Sequence, residues 1–258
     1  MSNDEVEALF SAGGVLQPQK GSATFSVVDN SIICFLDAEL TGSNRKYQNL
    51  YDRFAPLYDL VTRAYAAFRS HGEQQRVSQY LDELRVKDND RVLEISIGTG
   101  RNIKYLNPRA EYYGVDISLG MLRRCSRVMK RQGRQVRLVQ AEAESLPFRD
   151  ESIDVVYSAG GFNFYNDRSA AVKEMLRVAK PGTKLMIYDE APRTIAKYEK
   201  SKVVGSVYKK EGAADPRGFL PPGVENVDYK EICSGELFVL TFRKSLGNRA
   251  PDMIQKAT

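Results

Sequence analysis

Residues 91–106 read Arg-Val-Leu-Glu-Ile-Ser-Ile-Gly-Thr-Gly-Arg-Asn-Ile-Lys-Tyr-Leu, and this stretch constrains the chain most. Within its first part, 91–97, Val92 to Ile97 is a short, mostly apolar run rich in branched residues, the pattern of a strand covered on both faces. Two glycines, Gly98 and Gly100, follow, and 101–106 has helical character. A strand that turns through glycines into a helix brings backbone N–H groups close to a ligand. A carboxylate inside such a strand, Glu94, needs a reason to be buried. The next apolar run, 111–116, ends on Asp116, about 20 residues on, where an acid can hold a ribose diol. A helix over 119–132 then starts behind Ser118, and a third strand is predicted over 136–140.

Composition sets the outer bounds. The chain has 258 residues, 42% hydrophobic and 28% charged, enough for one full domain with extensions. No apolar run approaches the ~20 residues of a membrane span. The acidic start, Met-Ser-Asn-Asp-Glu-Val-Glu, lacks the basic and apolar regions of a signal peptide, so a cytoplasmic protein is expected. Cys34, Cys125 and Cys233 follow no metal or disulfide spacing and read as small core residues, so no metal is expected. A net charge of +5 permits an anionic partner without requiring one.

Further along, Ser152 to Ser158 reads as a fourth strand, leading into the loop Ala-Gly-Gly-Phe-Asn-Phe-Tyr-Asn, 159–166. A helix over 168–179 and a Lys-Pro-Gly turn precede a fifth strand, Lys184 to Asp189. Arg193 to Gly212 reads as helical and then mobile, a candidate substrate flap. Val227–Cys233 and Leu237–Arg243 read as a hairpin. Ligands in open α/β sheets sit beyond the carboxyl ends of the strands. That places Asn163 and Tyr165 as candidate substrate contacts and puts Asp189 at the active end.

The order and spacing of Val92–Gly100, Tyr112–Asp116, Gln140–Phe148 and Met175–Gly182 resemble class I S-adenosylmethionine (SAM)-dependent methyltransferases, and most nearly the ubiquinone/menaquinone biosynthesis C-methyltransferase group. The resemblance spans roughly 47–244. It implies an α/β, Rossmann-like, doubly wound seven-stranded sheet, mostly parallel with an antiparallel C-terminal hairpin, with SAM across the first two strands. Carried onto this sequence, it makes Glu94, Ser96, Gly98, Gly100, Asn102, Asp116, Ile117, Met121 and Ser158 cofactor contacts. It also implies that Glu142 accepts from the adenine amino group while Ala143 offers a backbone N–H. Aromatic residues of the run 47–59, Tyr51 and Tyr58, are expected to close over the donor. Ser96 departs from the family, which has glycine there. A nicotinamide dinucleotide is the rival ligand, but its fingerprint needs glycine at 103, which is Ile.

The implied reaction is methyl transfer to a small or lipid-like acceptor, a quinol being the leading candidate. His71, the only histidine, Tyr165 and Asp189 are the available bases. An rRNA or tRNA base methyltransferase is one alternative, and a non-catalytic interaction module another. Arg123, Arg124, Arg127, Lys130, Arg131 and Arg134 line one side of the second helix. Such a stripe suits a solvated face, or peripheral contact of 121–134 with an anionic membrane, more than nucleic acid. The expected organisation is an N-terminal extension over 1–42, a methyltransferase domain over 43–245 with a helical lid at 43–84, and a disordered tail over 246–258. The strands predicted near 23–30 and 31–36 loosely resemble a zinc-ribbon-like module without its cysteines, and are expected to lie on the main domain as a hairpin.

Overall fold

The computed structural model describes residues 3–10, 14–17, 25–36, 80–200 and 214–246, together with Arg45, Gln48, Asp52 and Val77. Among the described residues, nine strands form one sheet: β1 (Ser26–Val28), β2 (Ile32–Cys34), β3 (Arg91–Ile95), β4 (Glu111–Asp116), β5 (Arg137–Gln140), β6 (Val155–Ala159), β7 (Lys184–Glu190), β8 (Val224–Ile232) and β9 (Leu237–Lys244). Their order is β1-β2-β5-β4-β3-β6-β7-β9-β8. The five strands from β3 to β7 are mutually parallel, and β9 joins β7 antiparallel with β8 outside it. Order reverses on either side of β3, which opens a crevice at its carboxyl end.

The helices whose bounds lie among the described residues are α1 (Asn3–Phe10), α2 (Leu119–Arg131), α3 (Arg168–Val178) and α4 (Pro192–Glu199). Strand residues alternate between two cores. Leu93 and Ile95 pack with Val172 and Met175 of α3, whereas Val92 packs with Leu122, Cys125 and Met129 of α2. Two of these helices start where a side chain accepts an orphan N–H. Ser118 accepts from Met121 in α2, and Asp167 accepts from Ala170 in α3.

Three local readings change. β3 stops at Ile95 because Ser96 enters the left-handed region, φ 60°. The helix expected over 101–106 is a single 3-10 turn, Ile103–Tyr105. Leu106 is already extended, and Pro108 follows two residues later, which disfavours helical backbone just before it. The N-terminal hairpin joins the sheet itself: β1 pairs antiparallel with β2, and β2 runs parallel to β5. That accounts for nine strands where seven were expected.

Candidate functional site

The carboxyl ends of β3, β4 and β6 surround a cleft with two lobes. One is lined by Ile95, Ile117, Met121, Ala143, Phe164 and Tyr165, with Asp116 and Glu144 as its acids. The other is polar and lined by Tyr80, Glu94, Thr99, Arg101, Asn102 and Tyr188. Ser96, Gly98 and Gly160 border both lobes. The two glycines have φ of 54° and 84°, and a Cβ on either would meet nothing within 4 Å. Their backbone faces open space, so conformation rather than crowding selects glycine there.

Asp116 sits at the tip of β4, buried, with one carboxylate oxygen accepting from Gly98 N at 2.8 Å and the other from Ser118 N at 2.9 Å. Burial pushes its carboxyl up to about 6, and the two backbone donors offset part of that rise. Glu94 accepts from Asn102 Nδ2 at 2.6 Å and from the Tyr157 hydroxyl at 2.8 Å. Its burial dominates these bonds and raises the carboxyl to about 8. The Tyr80 hydroxyl donates to Asn102 Oδ1 at 2.7 Å, and the Tyr80 ring stacks on Tyr188 at 3.9 Å. Thr99 Oγ1 is buried beside them without a hydrogen-bond partner. A buried hydroxyl in that state is costly unless a ligand or water meets it.

Three hydroxyls stand at the wall where the lobes meet. The Tyr165 oxygen lies 3.1 Å from Ser96 Oγ and 2.7 Å from Ser158 Oγ. Burial holds the Tyr165 phenol above its ordinary range, so it stays protonated. A Cβ on Gly161 would fall 2.2 Å from Ser96 Oγ, so the serine is seated directly against that glycine.

A family model described as a methyltransferase domain matches residues 93–187. The chain is 37% identical over 145 residues to the ubiquinone/menaquinone biosynthesis C-methyltransferase of Syntrophotalea carbinolica, covering 54% of this chain and 59% of that protein. It is 33% identical over 147 residues to the demethylmenaquinone methyltransferase of Thermus thermophilus, covering 55% and 65%. The matched stretch thus spans less than two thirds of either relative. Among solved structures, the [4+2]-cyclase SpnF superposes with a TM-score of 0.63 at 16% identity, covering 81% of this chain and 98% of that one. A chain in the complex between the Haloferax volcanii Trm112 methyltransferase activator and a methyltransferase gives 0.56 at 16%, covering 76% and 97%. These two likenesses concern the fold alone, and one of the two proteins is a cyclase. The resemblance to class I SAM-dependent methyltransferases, and the Rossmann-like sheet it implied, hold.

The stretch 94–165 brings Glu94, Ser96, Gly98, Asn102, Asp116, Ile117, Met121, Ala143 and Tyr165 to one cleft. Other expected residues stand elsewhere. Gly100 faces α2, where a Cβ would come within 2.7 Å of Cys125 Sγ. Ser158 lies beneath Tyr165, fully buried. Glu142 is half-buried and outside the lining, whereas Glu144, two residues on, lines the cleft. Asn163 and Asp189 do not line it either. Asp189 accepts from Asn163 N and Glu190 N, and Asn163 donates to Glu190 O, so the pair fastens the 162–164 turn to β7. Tyr51, Tyr58 and His71 lie outside the described residues. Sequence reading missed Tyr80, Thr99, Glu144, Phe164 and Tyr188 as lining residues. Only the polar and aromatic tips of the loop 159–166 hinted at one of them, Phe164.

The basic side of α2 divides. Arg123 pairs with Asp29 at 2.7 Å, and Arg134 lies over the Tyr112 ring, while Arg127, Lys130 and Arg131 are exposed. No helix among the described residues is long and apolar enough to cross a membrane.

Proposed function

We propose that this chain is a SAM-dependent methyltransferase acting on a small or lipid-like acceptor, a quinol ring being the leading candidate. The observation that carries the reading is the two-lobed cleft over β3 and β4, with Asp116 lining its apolar lobe and Ser96, Gly98 and Gly160 between the lobes. An apolar lobe with flanking acids suits a nucleoside. A polar lobe with a buried carboxylate, an amide and the unpartnered Thr99 hydroxyl suits a zwitterionic amino-acid end. SAM is one molecule with both ends, so the residues fit the group. The names of the sequence relatives support the quinol.

Bound here, SAM supplies an electrophilic methyl group on a sulfonium. In this reading Asp116 receives the ribose hydroxyls on the carboxylate lone pairs that Gly98 and Ser118 leave open. Met121 and Ile117 cover the adenine. Glu94, held by Asn102 and Tyr157, faces the amino end, and Thr99 Oγ1 gains its missing partner there. The Ser96–Tyr165–Ser158 hydroxyls form the wall nearest both lobes and fix the polar geometry where donor and acceptor meet. Catalysis then rests on orientation and exclusion of water. Because the Tyr165 phenol stays protonated and Asp189 lies away from the cleft, neither is built as a base.

Calorimetric titration with SAM and with its product S-adenosylhomocysteine (SAH) tests this. Micromolar binding is expected, weakened roughly 100-fold in Asp116→Ala, since two hydrogen bonds to a charged group are lost, and less in Asp116→Asn. Failure of the native protein to bind SAH at millimolar concentration refutes the reading and favours an interaction module.

A further inference from the structure

The loop 141–147 walls the apolar lobe through Ala141, Ala143 and Glu144. Its own sequence, Ala-Glu-Ala-Glu-Ser-Leu-Pro, has few apolar anchors. Segments far upstream of the methyltransferase domain grip it at both ends. At its start, β2 runs parallel to β5 with Cys34 opposite Gln140, and Phe35 N donates to Gln140 O at 2.9 Å. At its end, Gln17 N donates to Pro147 O at 3.0 Å and Arg149 N donates to Val15 O at 2.8 Å. Between these two bonds, Leu16 and Phe148 face each other in an antiparallel bridge, both 1% exposed. Leu16 N in turn donates to Leu9 O near the end of α1. On the other side α3 holds the same loop: Glu174 accepts from Leu146 N, and Arg177 donates to Leu146 O and Phe148 O.

We propose that residues 14–17 and 32–35 are a positioning clamp for this loop, so that the N-terminal segment sets affinity for the adenosine half of the donor without touching it. The inference rests on the SAM reading above for the identity of the ligand. The clamp acts by preorganisation. A loop of small and polar residues, left without its end contacts, would have to be ordered when ligand binds, and that cost would appear as lost affinity. Backbone bonds at both ends remove the cost in advance. They also explain why the side chain at 17 is exposed while its N–H is engaged.

Gln17 offers a clean test because only its amide joins the clamp. Gln17→Pro removes that donor, and extended backbone at Leu16 tolerates a following proline. Gln17→Ala keeps the donor. SAH and 5′-methylthioadenosine, which lacks the amino-acid end, are titrated against both variants, and hydrogen exchange of the Ser145 and Leu146 amides is followed without ligand. Gln17→Pro is expected to bind both ligands roughly fivefold more weakly, by one common factor, with faster exchange at 145–146, as suits one lost hydrogen bond. Gln17→Ala is expected to match the native protein. Unchanged affinity in Gln17→Pro, or a loss for SAH alone, overturns the clamp. Leu16→Ala serves if the proline variant does not fold; a lower melting temperature with native affinity and native exchange would make the segment merely structural. If the native chain binds neither ligand, the SAM reading fails, and the exchange data still decide whether the clamp holds the loop.

Discussion

Ser96 carries a side chain through a backbone region that glycine enters freely, with φ at 60°. Left-handed backbone costs an L-residue roughly 1–2 kcal/mol, so something local must hold Ser96 there. Its hydroxyl lies in a chain of three, Ser96, Tyr165 and Ser158, joined by two contacts. Three O–H groups and two links leave one hydrogen over. Ser158 is fully buried and contacts Tyr165 alone among the hydrogen bonds of its side chain. The arrangement that leaves no buried donor unmade has Ser158 donate to Tyr165, Tyr165 donate to Ser96, and Ser96 turn its hydrogen into the cleft. Two variants separate the backbone from the hydroxyl. Ser96→Gly and Ser96→Ala both lose the hydroxyl, but only alanine keeps the left-handed penalty. Urea denaturation should find the glycine variant about 1 kcal/mol more stable than the alanine variant. An alanine variant of equal or greater stability would show that 96 is not held left-handed.

At the scale of elements, the start of α2 sets the donor-facing edge. Ser118 Oγ accepts from Met121 N at 3.1 Å and donates to Asp52 Oδ1 at 2.5 Å. The same Asp52 oxygen accepts from Gly120 N at 2.8 Å, and Gln48 Nε2 donates to Ile117 O at 3.4 Å. An anion at a helix N-terminus is favoured by the dipole and by orphan N–H groups. Ser118→Ala should therefore cost about 1–2 kcal/mol and Asp52→Ala about 1 kcal/mol. The two share a hydrogen bond, so a double-mutant cycle in urea should show coupling of about 0.5–1 kcal/mol; strict additivity would refute the shared cap. Ser118 was legible as a cap from its place before an amphipathic run, and β3, β4, β6 and β7 from branched apolar stretches. Asp52 was not legible as its partner, because 66 residues separate them. The same limit hid Tyr80 against Tyr188, and the seat of β2 beside β5, which depends on pairing across a long separation. The helix expected over 101–106 failed for the opposite, local reason: Leu106 is already extended, and Pro108 disfavours helical backbone just before it.

Across the whole molecule, buried carboxylates gather at the ligand end of the sheet. Glu94 is raised to about 8 and Asp116 to about 6, and Asp189 is also raised, all chiefly by burial. Unfolded, such groups ionise near 4. The folded state therefore keeps its protons to higher pH than the unfolded chain. For Glu94 and Asp116 that stability is full below about pH 4 and is lost as pH rises through their folded values, levelling above about 8. Glu83 has the opposite sign: hydrogen bonds from Lys184 and Lys230 hold it down to about 2. Its contribution is present above its unfolded value and fades as pH falls toward 2. The melting temperature should accordingly peak in mildly acid solution and decline toward pH 8. Glu94→Gln should flatten that decline; an unchanged slope would refute the shifted carboxyl. The same residue links stability to binding. If the ammonium end of SAH meets Glu94, it favours the carboxylate and expels the proton that the free protein still holds at pH 7. SAH binding at pH 7 should then release a proton, seen as a binding enthalpy that varies with the ionisation enthalpy of the buffer. The dependence should vanish in Glu94→Gln and shrink in the native protein above pH 8. A native enthalpy equal in phosphate and Tris buffers would mean that the amino end of the ligand does not sit against Glu94, and that the polar lobe recognises some other group.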